Sequence, residues 1–296
     1  MGKHYFLIYA TANDQNFLND FSNFHQMAKY HPGIPVIDVY IAVSEVVKLN
    51  SQNQKALHVI SNIISKCNWV RLNKIFIKGN IGRDFSSTQL CLEAISDRAK
   101  KEDLIMVRNR SAYGPFCTNW FIKYANLFNS SKEIGLVGNT INISGFKDRK
   151  YDNVVSHVQT YLYMSNWNLF SKILNDFPGL NETEEIGIID NGEIALSQRI
   201  MKSGHSLLCL YWPSQVFNLN KSIDPQLPKR DIKAEVKHLP FIHRDAFSFF
   251  FVFFWRFRWF SKNLIYKIRF FVVMKNKINY RDDLISIIDR YRQPRI

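Results

Sequence analysis

The stretch IMVRNRSAYGPF, residues Ile105–Phe116, decides the fold class. An apolar run typical of a buried β-strand stops abruptly, and Arg108, Asn109 and Arg110 follow it directly. In an α/β protein, ligands bind at the carboxyl ends of the strands. Two guanidinium groups at such a position indicate a ligand with negative charge, such as a diphosphate.

Strand-like and helix-like segments alternate over the first part of the chain. Short apolar runs such as Phe6–Ala10 and Ile134–Val137 predict strands, and the helical spacing of apolar residues in Gln54–Lys66 predicts a helix. This β-α-β-α order is typical of a mostly parallel sheet covered on both faces. We therefore predict an α/β fold, a Rossmann-like αβα sandwich, in a single domain over residues 1–240.

Composition narrows the class of partner. The 296 residues carry a formal net charge of +14, which favours nucleic acid, a phospholipid surface or a phosphorylated substrate. The four cysteines contain no C-x-x-C pair, which argues against a zinc ribbon and a disulfide scaffold and favours reduced thiols in a cytosolic protein. The apolar run Tyr5–Ala10 is too short for the core of a signal peptide.

The last part of the chain, residues 241–296, has a different composition. It holds eleven Phe and two Trp, with twelve Lys and Arg against four Asp. The apolar run Ala246–Trp255 is too short for a transmembrane helix, which needs roughly 20 residues. We predict a helical tail that lies on an anionic membrane surface. Core or oligomer packing and single-stranded nucleic acid remain alternatives, although no nucleic-acid-binding motif is present and no nucleic acid is expected.

A second polar motif, KGNIGRDFSS (residues 78–87), follows another predicted strand. Gly82 permits a tight turn and close approach of the backbone to a ligand. Arg83 would clamp a phosphate at the helix start, and Asp84 would accept a hydrogen bond from a sugar or a base. The alternative is that Asp84 only caps the helix.

The order of these and later motifs resembles one family. N-x-G-R-D, then N-x-S-x-Y-G-P, GLVGNTIN, SHVQTYLYM and NGEIALSQRIMKSGHSLLCLYW are similar to bacterial surface-polysaccharide glycosyltransferases of the rhamnan-synthesis type. The resemblance covers Phe6 to Trp212 and leaves the tail outside. It implies a GT-A fold, a UDP- or dTDP-linked sugar donor and a polyprenyl-diphosphate-linked glycan acceptor. It also implies a cytoplasmic protein, peripheral on the inner face of the cell membrane, that acts in O-antigen or capsule-type synthesis.

The resemblance implies a donor site at the strand ends. Its candidate residues are Thr11, Asn80, Gly82, Arg83, Asp84, Asn109, Arg110 and Ser111. GT-A enzymes usually place an Asp-x-Asp or a similar acid here to hold Mg or Mn, whereas this chain has Asn109-Arg110-Ser111. No cofactor is certain, and our hypothesis is that Arg110, with Arg108 or Arg83, supplies the positive charge. The alternative is a solvent-facing Arg110 and an impaired site.

The resemblance also suggests the catalytic and acceptor residues. Glu193, predicted to open a helix after the turn Asp190-Asn191-Gly192, is the candidate base of an inverting reaction, with Asp190 in reserve. Glu193 could instead serve only as a partner of the helix dipole. His157 and Gln159 are expected to line the acceptor side.

His243 and Arg244, which follow a polar loop, are further candidates to contact the diphosphate. The sequence thus predicts a glycosyltransferase. Two alternatives stay open: a nucleic-acid-binding protein that uses its basic aromatic tail, and a glycosyltransferase-like domain that binds nucleotide but has lost catalysis.

Overall fold

The computed structural model describes residues 2–14, 17–143, 156–219, 227, 238–244 and 288–290. The first half contains, in chain order, β1 (Tyr5–Ala12), α1 (Phe17–Lys29), β2 (Ile37–Ser44), α2 (Ser51–Ser65), β3 (Val70–Lys78), α3 (Arg83–Ile95), β4 (Leu104–Asn109), β5 (Ala112–Tyr113) and α4 (Trp120–Phe128). The second half contains β6 (Ile134–Gly138), β7 (Ile141–Asn142), β8 (His157–Val158), β9 (Leu162–Asn166), α5 (Trp167–Ile173), α6 (Glu185–Gly187), α7 (Ala195–Lys202), β10 (Ser206–Cys209), β11 (Ile242–His243) and β12 (Ile288–Arg290).

The main sheet has eight strands in the order β10-β6-β9-β4-β1-β2-β3-β12. Strand β9 is antiparallel to both of its neighbours, and the other neighbouring pairs are parallel. All eight residues of β2, IDVYIAVS, are buried, as expected for a parallel strand covered on both faces. The prediction of an α/β fold with a mostly parallel central sheet is confirmed.

The order in which the chain connects the strands indicates where on the sheet a ligand would bind. The chain runs from β1 to β2 to β3 in one direction, and from β3 it returns past β2 and β1 to β4. Because parallel crossovers are right-handed, α1 and α2 cover one face and α3 covers the other. The strand order therefore reverses between β1 and β4, and ligands bind at the carboxyl ends of strands beside such a reversal.

The predicted tail is described at two places, and both are strands. Strand β11 pairs antiparallel with β5, and the preceding Phe241 is fully buried with its ring 5.6 Å from that of Trp120. Phe241–Arg244 therefore pack with the domain that was predicted to end at residue 240. Strand β12 pairs in parallel with β3. The run Ala246–Trp255 lies outside the described residues. Within the described parts of the chain, no helix is long and apolar enough to cross a membrane.

Candidate active site

A crevice of about 200 Å³ lies at the carboxyl ends of β1 and β4. It is lined by Ala10, Asp84, Phe85, Thr88, Val107, Arg108, Asn109, Thr160 and Tyr163. This volume includes open solvent and narrow gaps between atoms, and a water-sized molecule does not fit between the lining side chains, so the crevice must open before it can hold a nucleotide sugar.

One side of the crevice, the strand-end wall, is formed by Asp84 and Asn109. The Asn109 side-chain N–H donates to Asp84 Oδ2 at 2.6 Å, and Asn109 Oδ1 accepts from the Ser111 backbone N–H at 2.9 Å. Burial raises the pKa of Asp84, and the hydrogen bond from Asn109 and the charge of Lys78 oppose that rise. The N-cap of α3 is Gly82, so Asp84 is not the cap of that helix.

Lys78, at the end of β3, organises the turn before α3. Its side chain is buried, and Nζ donates to Ser44 Oγ at 3.1 Å and to the carbonyls of Gly79 and Ile81 at 2.6 and 3.4 Å. Burial lowers the pKa of Lys78 to about 8, and the charge of Asp84 opposes this. Sequence reasoning missed this lysine, although a Lys directly after an apolar strand was an available signal.

The start of α3 is covered by the chain itself. Gly82 has a left-handed backbone (φ 69°), donates its N–H to the Glu182 carbonyl at 2.8 Å, and leaves no space for a Cβ beside Leu180. Arg83 donates from Nη2 to the Thr183 carbonyl at 3.0 Å. The groups predicted to bind phosphate at Gly82 and Arg83 are therefore bound to protein carbonyls here. Asn80 lies exposed in the preceding turn.

Arg108 is not the open cation that the sequence suggested. Its side chain is fully buried, and its guanidinium donates to the carbonyls of Ala112 and Gly114. It also lies 5.1 Å from the ring of Tyr9 and 4.7 Å from that of Phe241. Burial lowers the pKa of Arg108 to about 10, so it stays charged at neutral pH. These contacts give Arg108 a structural role; because it also lines the crevice, its contact with a diphosphate stays a prediction.

Arg110 lies just beyond β4 and forms a bidentate ion pair. Its Nη1 and Nη2 atoms lie 2.6 and 2.9 Å from the two carboxylate oxygens of Asp14, in the loop after β1. The Arg110 side chain is 12% exposed and that of Asp14 is 32% exposed. Arg110 is thus neither a solvent-facing loop residue nor an uncompensated charge in this structure. No pattern in the sequence indicates that Asp14 pairs with Arg110.

Thr11, predicted to bind the donor, is buried under the same loop. Its hydroxyl donates to Asp20 Oδ2 at 2.8 Å, and the Tyr9 hydroxyl donates to Asp20 Oδ1 at 2.6 Å. Burial raises the pKa of Asp20 to about 6, and the charge of Arg110 opposes this rise. Thr11 therefore fixes α1 against the end of β1.

Thr160 also lines the crevice and connects it to Glu193 and His157, and these three residues are called the Glu193 wall. The Thr160 hydroxyl donates to Glu193 Oε1 at 2.7 Å, and His157 Nε2 lies 3.9 Å from Glu193 Oε2. The neighbouring Gln159 accepts a hydrogen bond from Thr140 at 2.7 Å. The structure thus brings the predicted base and the predicted His157 together, and it adds Thr160, which sequence reasoning had not singled out.

The helix that carries Glu193 begins earlier than predicted. It starts at Glu185, and a π-helical segment, Ile188–Ile194, joins α6 directly to α7. The predicted turn at Asp190-Asn191-Gly192 and the helix start at Glu193 are wrong, because Gly192 lies inside this helical segment and packs against the Phe85 ring, where a Cβ would clash. Single π-helical turns are frequent at functional sites. The reserve candidate Asp190 lies in the same segment, half-buried.

Strand β11 places two candidates from the C-terminal part beside the end of β4. The Arg244 backbone N–H donates to the Ser111 carbonyl at 2.9 Å. The ring of His243 lies 4.8 Å from that of Tyr161. The structure therefore brings His243 and Arg244 to the loop that carries Arg110.

Metal-binding groups are sparse around the crevice. Over the residues that the structure describes, no three or more His, Cys, Asp or Glu side chains form a group that could hold a metal ion. At the strand end where an acid was expected, Asn109 presents its side-chain N–H to Asp84, and Arg110 pairs with Asp14.

Comparisons with known proteins give distant structural similarity only. A scan against protein-family models and a search of curated proteins found no match. The fold is similar to a mannosyltransferase from Pyrobaculum calidifontis in complex with GDP-Man and Mn2+, with 11% identity and a TM-score of 0.46 over 80% of this chain and 62% of that chain. It is also similar to the apo bifunctional glycosyltransferase WbbM, with 10% identity and a TM-score of 0.43 over 81% and 45% of the two chains.

A third similar structure is the Francisella tularensis 2-C-methyl-D-erythritol 4-phosphate cytidylyltransferase, with 13% identity and a TM-score of 0.39 over 76% of this chain and 95% of that chain. The chain spans less than two thirds of the length of the mannosyltransferase and of WbbM. TM-scores of this size do not define a shared topology, so the case for a function rests on the residues of this chain.

Proposed function

We propose that the protein is a GT-A-type glycosyltransferase that uses a nucleotide-sugar donor. One observation carries the proposal. At the reversal of strand order, Asp84, Asn109 and Thr160 line one crevice, and the Thr160 hydroxyl donates a hydrogen bond to Glu193. Polar groups suited to bind sugar hydroxyls thus lie near a carboxylate that can accept a proton, which supports a transfer between two hydroxyl-rich substrates.

The chemistry follows from these positions. Glu193 accepts the proton of the acceptor hydroxyl, and the resulting oxygen attacks the anomeric carbon of the donor sugar. The bond from that carbon to the diphosphate breaks, and the nucleoside diphosphate leaves with the electron pair. Asp84 and Asn109 bind hydroxyls of the donor sugar. Arg110 leaves its ion pair with Asp14, binds the diphosphate and stabilises the negative charge of the leaving group. Direct displacement of this kind inverts the anomeric centre.

The side chains at the end of β4 do not offer the ligand atoms with which an Asp-x-Asp enzyme holds a divalent metal. Mg²⁺ and Mn²⁺ prefer carboxylate and carbonyl oxygens. The strand end presents the N–H of Asn109 towards Asp84, and a cation, Arg110, follows it. We therefore assign the stabilisation of the leaving group to Arg110 and derive no step through a metal.

The acceptor we propose is a polyprenyl-diphosphate-linked glycan in O-antigen or capsule-type synthesis, with a UDP- or dTDP-linked donor. The support for it comes from the sequence, since the basic, Phe-rich composition of residues 241–296 suits the surface of an anionic membrane. A peripheral location on the cytoplasmic face of the cell membrane belongs to the same proposal.

The test combines binding with transfer. The full chain is heated with a panel of UDP-, dTDP- and GDP-sugars, with EDTA or with Mg²⁺ or Mn²⁺, and the melting temperature is measured. We expect one donor to stabilise the protein in EDTA. That donor is then offered with a polyprenyl-diphosphate-linked monosaccharide in detergent. If no nucleotide sugar stabilises the protein, the proposal is wrong, and strict metal dependence would overturn the role of Arg110 alone.

A nucleotide-binding domain without catalysis is the second candidate. It is favoured by the ion pair of Arg110 with Asp14 and by the missing acid at the end of β4. Stabilisation by a nucleotide sugar without transfer to any acceptor would identify it. The nucleic-acid-binding alternative depends on the tail, most of which lies outside the described residues.

A further inference from the structure

Thr160 joins the two walls of the crevice. It is 7% exposed, it lines the crevice, and its hydroxyl donates to Glu193 Oε1 at 2.7 Å. The reaction proposed above assigns this hydroxyl no step of its own, although it is the contact that connects the crevice to Glu193.

The backbone on both sides of Thr160 is fixed by hydrogen bonds. On one side, the Gln159 N–H donates to the Thr140 carbonyl at 3.2 Å. On the other side, the Tyr161 carbonyl accepts from the Asn109 N–H at 3.0 Å. The hydroxyl of Thr160 is therefore held in register with Asn109 at the end of β4, so the position of Glu193 is tied to that of the strand-end wall.

We infer that Thr160 is the positioning residue that orients the Glu193 carboxylate for the proposed transfer. The inference rests on the proposed function. The acceptor hydroxyl gives its proton to this carboxylate, whose Oε1 accepts from Thr160 and whose Oε2 lies 3.9 Å from His157 Nε2. The O–H bond of the acceptor breaks as its oxygen bonds to the anomeric carbon, and the diphosphate departs with the electrons of the broken glycosidic bond.

Two physical effects make this contact matter for the rate. A hydrogen bond donated to a carboxylate favours its charged form, which is the form that accepts a proton. The same bond restricts the rotamer of a side chain on the π-helical segment, and catalytic groups need support of this kind to hold their geometry. Thr160 affects the acceptor only through its hydrogen bond to Glu193.

The experiment compares Thr160→Val, which removes the hydroxyl at nearly constant volume, with Thr160→Ser, which keeps it. Thr118→Val, at an exposed threonine before α4, is the matched control. A hydrogen bond to a charged group is stronger than one between neutral groups, so we expect T160V to lower kcat about 10-fold or more. The acid limb of the kcat/KM profile should move to higher pH, T160S should retain most activity, and stabilisation by the donor should be unchanged.

A double variant separates positioning from a general structural role. If Thr160 acts through Glu193, adding T160V to Glu193→Gln costs no further activity, because the two residues work as one unit. Should T160V melt too low to assay, Thr160→Ala is compared with T160S in the same cycle.

The outcomes are distinct. A T160V rate equal to that of Thr118→Val, or a loss that adds fully to that of Glu193→Gln, overturns the inference and leaves the proposed function standing. Binding of a nucleotide sugar without transfer by the wild-type chain overturns both.

Discussion

The two walls of the crevice differ in how their polar groups are already bound. On the strand-end wall Asn109 binds Asp84, and beside it Arg110 binds Asp14 through both nitrogens. On the Glu193 wall the carboxylate accepts a hydrogen bond from Thr160 and lies 3.9 Å from His157 Nε2, and its side chain remains 23% exposed. The first wall must exchange internal bonds for ligand bonds, whereas the second is already arranged for its reaction.

This difference has an energetic consequence. A ligand that binds the strand-end wall gains only the difference between its own contacts and those it displaces, so removing a protein partner there can raise affinity. On the Glu193 wall, removing a group can only reduce the rate. Substitutions on the two walls should therefore differ in sign as well as in size.

The largest effect is expected at Glu193. Glu193→Gln removes the proton acceptor and should lower the transfer rate about 1,000-fold, within the usual contribution of a general base, while stabilisation by the donor persists. Initial rates and melting temperatures measure the two properties. Glu184→Gln, at an exposed glutamate in the segment before α6, is the control. An E193Q rate close to that of the control would mean that the Glu193 wall is not the catalytic wall.

The next effect concerns the buried carboxyl group of Asp20, which accepts hydrogen bonds from Tyr9 and Thr11. Burial raises the pKa of Asp20 from its ordinary 3.8 to about 6. A raised carboxyl pKa supplies stability below the unfolded value that is lost as pH rises through the folded value. Relative to Asp20→Asn, the wild-type chain should therefore lose about 3 kcal/mol of unfolding free energy as the pH rises from well below 3.8 to well above 6, and about 2 kcal/mol of it between these two pH values. Urea unfolding across that range checks it, and a difference that is constant with pH would contradict the buried charge.

Arg110 should matter for binding the leaving group. Arg110→Gln removes the cation near the diphosphate, and we expect the affinity for the nucleoside diphosphate to fall about 10-fold or more. Isothermal titration calorimetry measures the affinity, with Arg199→Gln on α7 as the control. If R110Q binds as tightly as wild type, the strand-end wall does not use this charge.

Asp14 should give the smallest effect and the opposite sign. Asp14→Asn removes the carboxylate that competes for Arg110, so the affinity for the nucleoside diphosphate should rise about 3- to 10-fold. The same substitution in an R110Q background should have no effect, since the two side chains form one pair. A loss of affinity in D14N would show instead that Asp14 holds Arg110 in its binding position, and the contrast between the two walls would fail.

Much of the fold could be predicted because its signal is local. The apolar runs and helical spacing of the first 140 residues predict the elements that form, since parallel strands buried on both faces read as continuous apolar runs. That Asp84 and the loop after β4 lie at one edge of the sheet also follows, in outline, because each comes after a predicted strand, whereas the hydrogen bond between Asp84 and Asn109 does not follow from the sequence. Neither prediction depends on which side chains from distant parts of the sequence come into contact.

The rest of the site depends on contacts between distant residues. Arg108 and Arg110 are indistinguishable in sequence, yet Arg108 is enclosed by rings that include Phe241, while Arg110 meets Asp14. Gly192 indicated a break before a helix, but its missing side chain provides room for Phe85, and the helix continues through it. Local propensity cannot reveal such packing.

Strand β12 has a practical consequence for anyone who shortens the chain. Ending the protein near residue 240 would remove its Phe-rich part, but it would also uncover β3, which lies next to β12 at the border of the sheet. The freed N–H and C=O groups of β3 would form a template on which other molecules can add strands. A truncated version is therefore expected to precipitate during purification, and preparations that retain Ile288–Arg290 should behave better.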